Sequence, residues 1–253
     1  MKKLFAILIF LLLPLGTSAS VLCDNSVNGW ASTAGGADTT VATNGDLTIA
    51  YWVKTTTAAA DFVVTNENKG DNGIFAMNIN DDVANRITIY IFNFNTSGNT
   101  NVNDGAWHSV VLTRVSNTTT VYTDKSGGTT GSGGHTIGTL DAALVLCKNN
   151  LTGVNYYDGR IAKFAFYNSV GWSQTQVNDY HDSGGVTIPS SPQVVYTFPS
   201  TVGLLLDTSG NSHTLVPNGT GLGFTYDTDE PAGSGGGAVA GFFRGLVRAF
   251  WIW

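Results

Sequence analysis

Few residues in this 253-residue chain are suited to chemistry. The stretch 104-DGAWHSVVLTR-114 sets His108 beside Trp107, behind an Asp-Gly turn, and ends in Arg114. The other histidines, His135, His181 and His213, are scattered, and none of the four has metal-ligand spacing. Glutamate occurs only as Glu67 and Glu230, both in turn or linker contexts. Glycan hydrolysis needs two carboxyl groups flanking the scissile bond, commonly a few residues apart on one strand. Asp81 and Asp82 are adjacent, so on a strand they would point to opposite faces. Neither a G-x-S-x-G elbow nor an H-E-x-x-H motif occurs. A triad assembled only in space is the catalytic arrangement left open. Hard cations have better material: Asp38, Asp71, Asp81, Asp158 and Asp207 lie in turn-rich loops, and carboxylate and carbonyl oxygens are the natural ligands of Ca2+. The ordinary alternative is an Asp bonding the backbone N–H groups of its own turn.

These groups must be positioned by strands. In 47-LTIAYWVK-54, Leu47, Ile49, Tyr51 and Val53 alternate with Thr48, Ala50, Trp52 and Lys54. Further β-rich runs are 61–66, 73–79, 86–94, 107–115, 119–123, 142–147, 160–167 and 193–198, each bounded by Asn, Gly, Asp or Ser. Many short strands separated by polar turns predict an all-β, antiparallel two-sheet sandwich or jelly roll. In 107–115, alternation sets Trp107, Ser109, Val111 and Thr113 on one face and His108, Val110, Leu112 and Arg114 on the other. With no carboxylate partner evident, His108 reads as a structural histidine and Trp107 as core. The run 86–94 places Ile87, Ile89 and Ile91 on one face and Tyr90, Phe92 and Phe94 on the other. A two-layer sandwich buries only one face of a strand. The aromatic face must then be covered, or used to stack sugar rings. One helix is expected, 173-SQTQVNDYHD-182, opened by an S-x-x-Q capping box and laid across a sheet edge.

The start of the chain sets the compartment. Lys2 and Lys3 precede an apolar run, Leu4 to Leu15, and then 16-GTSAS-20. This is the pattern of a secretory signal peptide, cut after Ala19 or Ser20, with an uncleaved anchor as the alternative. Leu22 stands before Cys23, where a lipidation motif would have a small residue. Cys23 and Cys147 are the only cysteines, and an oxidising compartment predicts a disulfide between them; two separate buried thiols are the alternative. The formal charge of −6 argues against nucleic acid as a partner.

Four stretches carry a family resemblance. 47-LTIAYWVK-54, 104-DGAWHSVVLT-113, 158-DGRIAKFAFYNSVGWSQTQV-177 and 207-DTSGNSHTLVPNG-219 resemble blocks of laminin-G-like, concanavalin A-like lectin domains, together spanning roughly 24–226. The resemblance implies a jelly roll that binds glycans or extracellular proteins, often with calcium, and is usually not catalytic. Asp38, in 36-GADTTV-41, resembles an acid of the family and becomes the first calcium candidate, with Asp158 and Asp207 beside it. Two departures stand out. Ala162 and Lys163 occupy positions where the family often carries Asp-Glu, and the SGN block follows the other three instead of preceding them.

The expected organisation is a leader over 1–20, a sandwich over 21–228, a Gly-rich linker over 229–237 and a tail over 238–253. Read as a helix, the tail sets Arg244 and Arg248 opposite Phe242, Leu246, Phe250 and Trp253, with Phe243 alongside, an amphipathic pattern suited to a membrane interface or a protein partner. Read as a strand, Trp253, Trp251, Ala249 and Val247 alternate along one side. Docking on its own sandwich is the third reading. Two functions follow: an exported, non-enzymatic module recognising carbohydrate or glycosylated surfaces, calcium-assisted if an ion is bound; or a structural or surface-attached protein, such as an adhesin, envelope or virion component, docked through the tail. A glycan-active enzyme is disfavoured by the shortage of Glu.

Overall fold

The alternation in 47–54 becomes a fully formed strand with both faces buried: Ile49, Tyr51 and Val53 point into one apolar layer, Ala50 and Trp52 into a second. A computed structural model of the chain describes residues 19–33, 45–66, 75–81, 83–91, 94–128, 130–132, 143–148, 156–198, 206–218 and 223–232. These form two antiparallel sheets. One runs, in spatial order, β10 (Ser126–Gly127), β9 (Thr118–Thr123), β8 (His108–Val115), β3 (Leu47–Lys54), β13 (Gly159–Asn168), β1 (Ser20–Cys23) and β16 (Phe224–Asp227), with β11 (Gly131–Ser132) on β9 and β14 (Val194–Tyr196) on β13. The other runs β15 (Leu215–Asn218), β2 (Trp30–Thr33), β12 (Leu144–Leu146), β4 (Asp61–Asn66), β5 (Phe75–Ile79), β6 (Ile87–Ile91) and β7 (Phe94–Ser97).

The main core lies between the sheets, where Ile49, Val53, Val110 and Ile161 of the first meet Val64, Met77, Ile89 and Leu146 of the second. A second core lies outside the first sheet, under α1 (Gln174–Asp182). The helix therefore covers a sheet face, not the sheet edge expected from sequence. Its Val177 and Tyr180, three residues apart on one face, pack with Ala50, Trp52, Val111 and Ala165. The capping box forms as expected, the Ser173 side chain accepting from Gln176 N and Gln176 Oε1 accepting from Ser173 N at 2.8 Å. Tyr180 Oη donates to the Lys163 carbonyl at 2.7 Å, pinning a bulge in β13 where the register shifts between Ala162 and Ala165 and Lys163 takes φ 51°.

The strand expected over 86–94 is two strands. β6 ends at Ile91, and Phe94 opens β7 as the register partner of Ile91. Tyr90 and Phe94 therefore belong to different, antiparallel strands.

Candidate functional site

Register places one set of strand ends together. Lys54 pairs with Arg160, Val53 with His108 and Cys23 with Gly159, so β3, β8, β13 and β1 share an end. In the opposite sheet, Ala31 pairs with Leu146, bringing Trp30 and Cys147 to one end. The Cys23–Cys147 disulfide, with Cα atoms 5.9 Å apart, shows that these two ends are the same end of the sandwich. It also engages the Cys23 sulfur, leaving none for a lipid thioether.

His108 is centred in this rim. Its Nδ1 lies 2.6 Å from Asp124 Oδ2 and its Nε2 2.9 Å from Asp104 Oδ1. The partners that were not evident in the sequence are thus two carboxylates. Asp124 reaches His108 because Asp124 and Lys125 both take positive φ, 49° and 70°, in the two-residue turn between β9 and β10. The turn folds Asp124 back over the start of β8, where its Oδ1 accepts from Ser109 N at 3.0 Å. Burial opposes the charge on His108, but the bonds and charges of Asp124 and Asp104 outweigh it and raise its pKa. The bond from His108 holds Asp104 below the usual carboxylate range. With both ring nitrogens engaged, His108 is an ion bridge rather than a free base.

Ser109, His181 and Asp124 are the nearest approach to a triad. Ser109 Oγ lies 2.8 Å from His181 Nδ1, and Asp124 Oδ1 lies 3.9 Å from that same nitrogen. A relay needs the hydroxyl on one ring nitrogen and the carboxylate on the other. Here both face Nδ1, and Ser109 is buried. His181 stacks on Trp52 with centroids 5.3 Å apart, and burial lowers its pKa.

Aromatic and charged side chains fill the rest of the rim. Trp107 is half-buried, packing against the second core as the sequence reading expected, and its Nε1 donates to Asp229 Oδ1 at 3.0 Å. Lys54 Nζ reaches Asp229 Oδ2 at 2.7 Å, Arg160 reaches Asp227 at 2.9 Å and Lys163 reaches Glu230 at 3.5 Å. Burial pushes the Asp229 pKa up, but the bonds from Lys54 and Trp107 and the charges of Lys54 and Arg160 reverse this and leave it lowered. Toward the second sheet, Lys148 Nζ stands 4.2 Å from the Trp30 ring centroid and 5.6 Å from that of Tyr156. Trp30, Lys148 and Tyr156 all keep partial exposure. None of the three was singled out from sequence. Trp30 and Tyr156 lie 126 positions apart, and only the pairing of β2 with β12 and the Lys148–Tyr156 bridge brings them together.

Of the acids chosen as calcium candidates, the two among the described residues, Asp158 and Asp207, lie apart. Asp207 is consumed by its own turn: Oδ1 accepts from Val195 N and Ser209 N, and Oδ2 from Ser209 Oγ and His213 N, at 2.8–3.0 Å. Burial opposes its charge, but these bonds prevail and lower its pKa. Asp158 is exposed at the rim, just before β13, and its carbonyl accepts from Thr55 Oγ1 at 2.5 Å. Asp207 bonds opposite Ala165, six residues along β13 from Gly159, roughly 20 Å from the rim at the rise of a strand. Among the described residues, no three His, Cys, Asp or Glu side chains are grouped to hold a metal ion. Asp158 and Asp207 therefore do not fit a shared calcium. Asp38, Phe92, the Phe94 side chain and the tail residues Phe242, Phe243, Arg244, Arg248, Phe250, Trp251 and Trp253 lie outside the described residues. Tyr90 is half-buried on β6.

No curated protein sequence matches the chain. Solved structures do. A heptameric SAP-like pentraxin of Limulus polyphemus superposes with a TM-score of 0.54 at 13% identity, covering 81% of this chain and 96% of that one. A Bacteroides ovatus protein to which carbohydrate binding has been ascribed gives a TM-score of 0.64 at 14% identity, covering 87% of this chain and 63% of that one. At such identities the likeness concerns the fold. The laminin G family description, of the concanavalin A-like lectin/glucanases superfamily, matches residues 25–178, more than half of the sequence. With two antiparallel sheets around the main core and three of the four sequence blocks inside that match, the chain belongs to the concanavalin A-like lectin/glucanases superfamily.

Proposed function

We propose that this protein is an exported, non-catalytic recognition module that binds a glycan or a glycosylated extracellular surface through its disulfide-closed rim. The observation that carries the reading is the grouping of partly exposed Trp30, Tyr156 and Lys148 there. The C–H faces of a sugar ring stack on indole and phenol rings, and an ammonium beside them hydrogen-bonds hydroxyls or a carboxylate. The disulfide supports an oxidising compartment. The relatives' fold supports binding over turnover, as does the geometry of Ser109, His181 and Asp124.

A glycan array probed with purified protein, with and without EDTA, tests the proposal. Binding is expected, and Trp30→Ala or Tyr156→Ala should weaken it at least tenfold, roughly 1.4 kcal/mol. Silence across a broad array, or full binding by both variants, would refute the assignment. The EDTA arm decides calcium separately, and turnover of any polysaccharide would overturn the non-catalytic reading.

A further inference from the structure

We infer that the leader is cut between Ala19 and Ser20, and that the cut must come before the domain folds. The inference rests on reading residues 1–20 as an export leader, and it is independent of the ligand. The sequence offers two cuts. One follows Ala19, with Thr17 and Ala19 as the small residues a leader peptidase reads; the other follows Ser20, with Ser18 and Ser20.

The fold shows which of the two products keeps the domain whole. Ser20 is the first residue of β1 and is fully buried. It is held in two ladders at once, opposite Ala162 of β13 and opposite Asp227 of β16. A cut after Ser20 would remove one of four rungs from both ladders and start the chain at Val21. A cut after Ala19 leaves every rung in place. Hydrolysis adds water across the Ala19–Ser20 amide: the new carboxylate departs on Ala19 and the new α-ammonium stays on Ser20. That ammonium emerges opposite Asp227, a carboxylate whose side chain keeps 20% exposure.

Timing follows from burial. Ala19 is 1% exposed and Ser20 0%. A peptidase must take an extended stretch on both sides of the bond into its cleft, and here the stretch on the product side is already an inner strand. The folded precursor cannot present it.

Two measurements test this on the full chain. Secretion from a bacterial host, followed by intact mass and N-terminal sequencing, should return residues 20–253. A start at Val21, any other start, or a retained leader would overturn the cut site. Precursor purified from the cytosol and refolded with its disulfide formed should resist leader peptidase at 19–20, whereas the same precursor freshly diluted from denaturant should be cut. Equal cleavage of both would overturn the order of events. Glycan-array binding by the secreted protein reports on the recognition reading alone, so the two can fail separately.

Discussion

Residues 170–172, at one end of the sandwich, and the rim at the other are joined to the sheets by different kinds of bond. At the end where β3 begins, residues 170–172 are stitched to the sheet through neutral groups. Thr48 Oγ1 donates to the Val170 carbonyl and accepts from Trp172 N, both at 2.9 Å, and Thr113 Oγ1 donates to the Trp172 carbonyl at 3.2 Å. Gly171 sits so close that an added Cβ would stand 2.5 Å from the Arg114 carbonyl. At the rim, charged and aromatic side chains make the connections: His108 with two carboxylates, Lys54 and Arg160 with the acids after β16, Lys148 over Trp30. Neutral bonds to backbone hold one geometry at every pH. Pairs of half-exposed charges respond to pH and salt, and they leave ring faces and polar atoms within reach of solvent. One end sets architecture; the other carries the groups able to meet a ligand.

Substitutions at each end can break this contrast. The largest effect should come from replacing both Cys23 and Cys147 with Ser, which unlinks the sheets at the rim and frees a loop of 124 residues in sequence separation. Urea unfolding should show a loss of about 2–5 kcal/mol; a loss below about 1 kcal/mol would mean the rim's other contacts already hold the sheets together. Gly171→Ala comes next, at about 1–3 kcal/mol from overpacking against backbone that cannot move aside. It should leave ligand binding unchanged, and weakened binding would blur the division between the ends.

His108→Gln should cost about 1–2 kcal/mol, through the loss of charge-assisted bonds. Its pH dependence has a definite sign. The folded-state pKa of His108 is raised, so its contribution is fully present below the unfolded value of about 6.5 and is lost as pH rises through the folded value. The difference between variant and parent should therefore be larger at pH 5.5 than at pH 8.5 by thermal unfolding. His181 works the other way: its lowered pKa makes protonation below about 6.5 unfavourable to the fold. The smallest effect is expected for Lys125→Ala, which removes a pair to Asp182 between side chains that are 37% and 47% exposed. It should shift stability by less than about 1 kcal/mol, and added salt should erase the difference.

Much of the framework was legible because it depends on local pattern. Alternation located β3, β4 and β8, and the capping box located α1 to within a residue. Strands β1, β2, β15 and β16 were missed. They are four residues long, 30-WAST-33 is half polar, and β15 contains Pro217, so no run stands out from the surrounding turns. The helix was found but its seat was not, because periodicity shows which face is apolar and not which sheet face receives it. At the site, Asp104 lies four residues before His108 and was within reach of sequence reasoning. Asp124 was not, since its approach depends on two consecutive left-handed residues in a hairpin turn. Asp207 was recognised as a turn acid, but only the four hydrogen bonds to its carboxylate show that nothing remains for a cation.

The pairing of β1 with β16 places the first of the described strands beside the last. Under the proposed export, amino end first, this order would set a clock. Residues 20–23 arrive early but remain without their partners until β13 and then β16 have followed, more than 200 residues later. Throughout that interval the segment is an unpaired extended peptide, a liability for aggregation and an opportunity for any enzyme or chaperone waiting at the exit. Closure of the sheet by the final strand ends both at once.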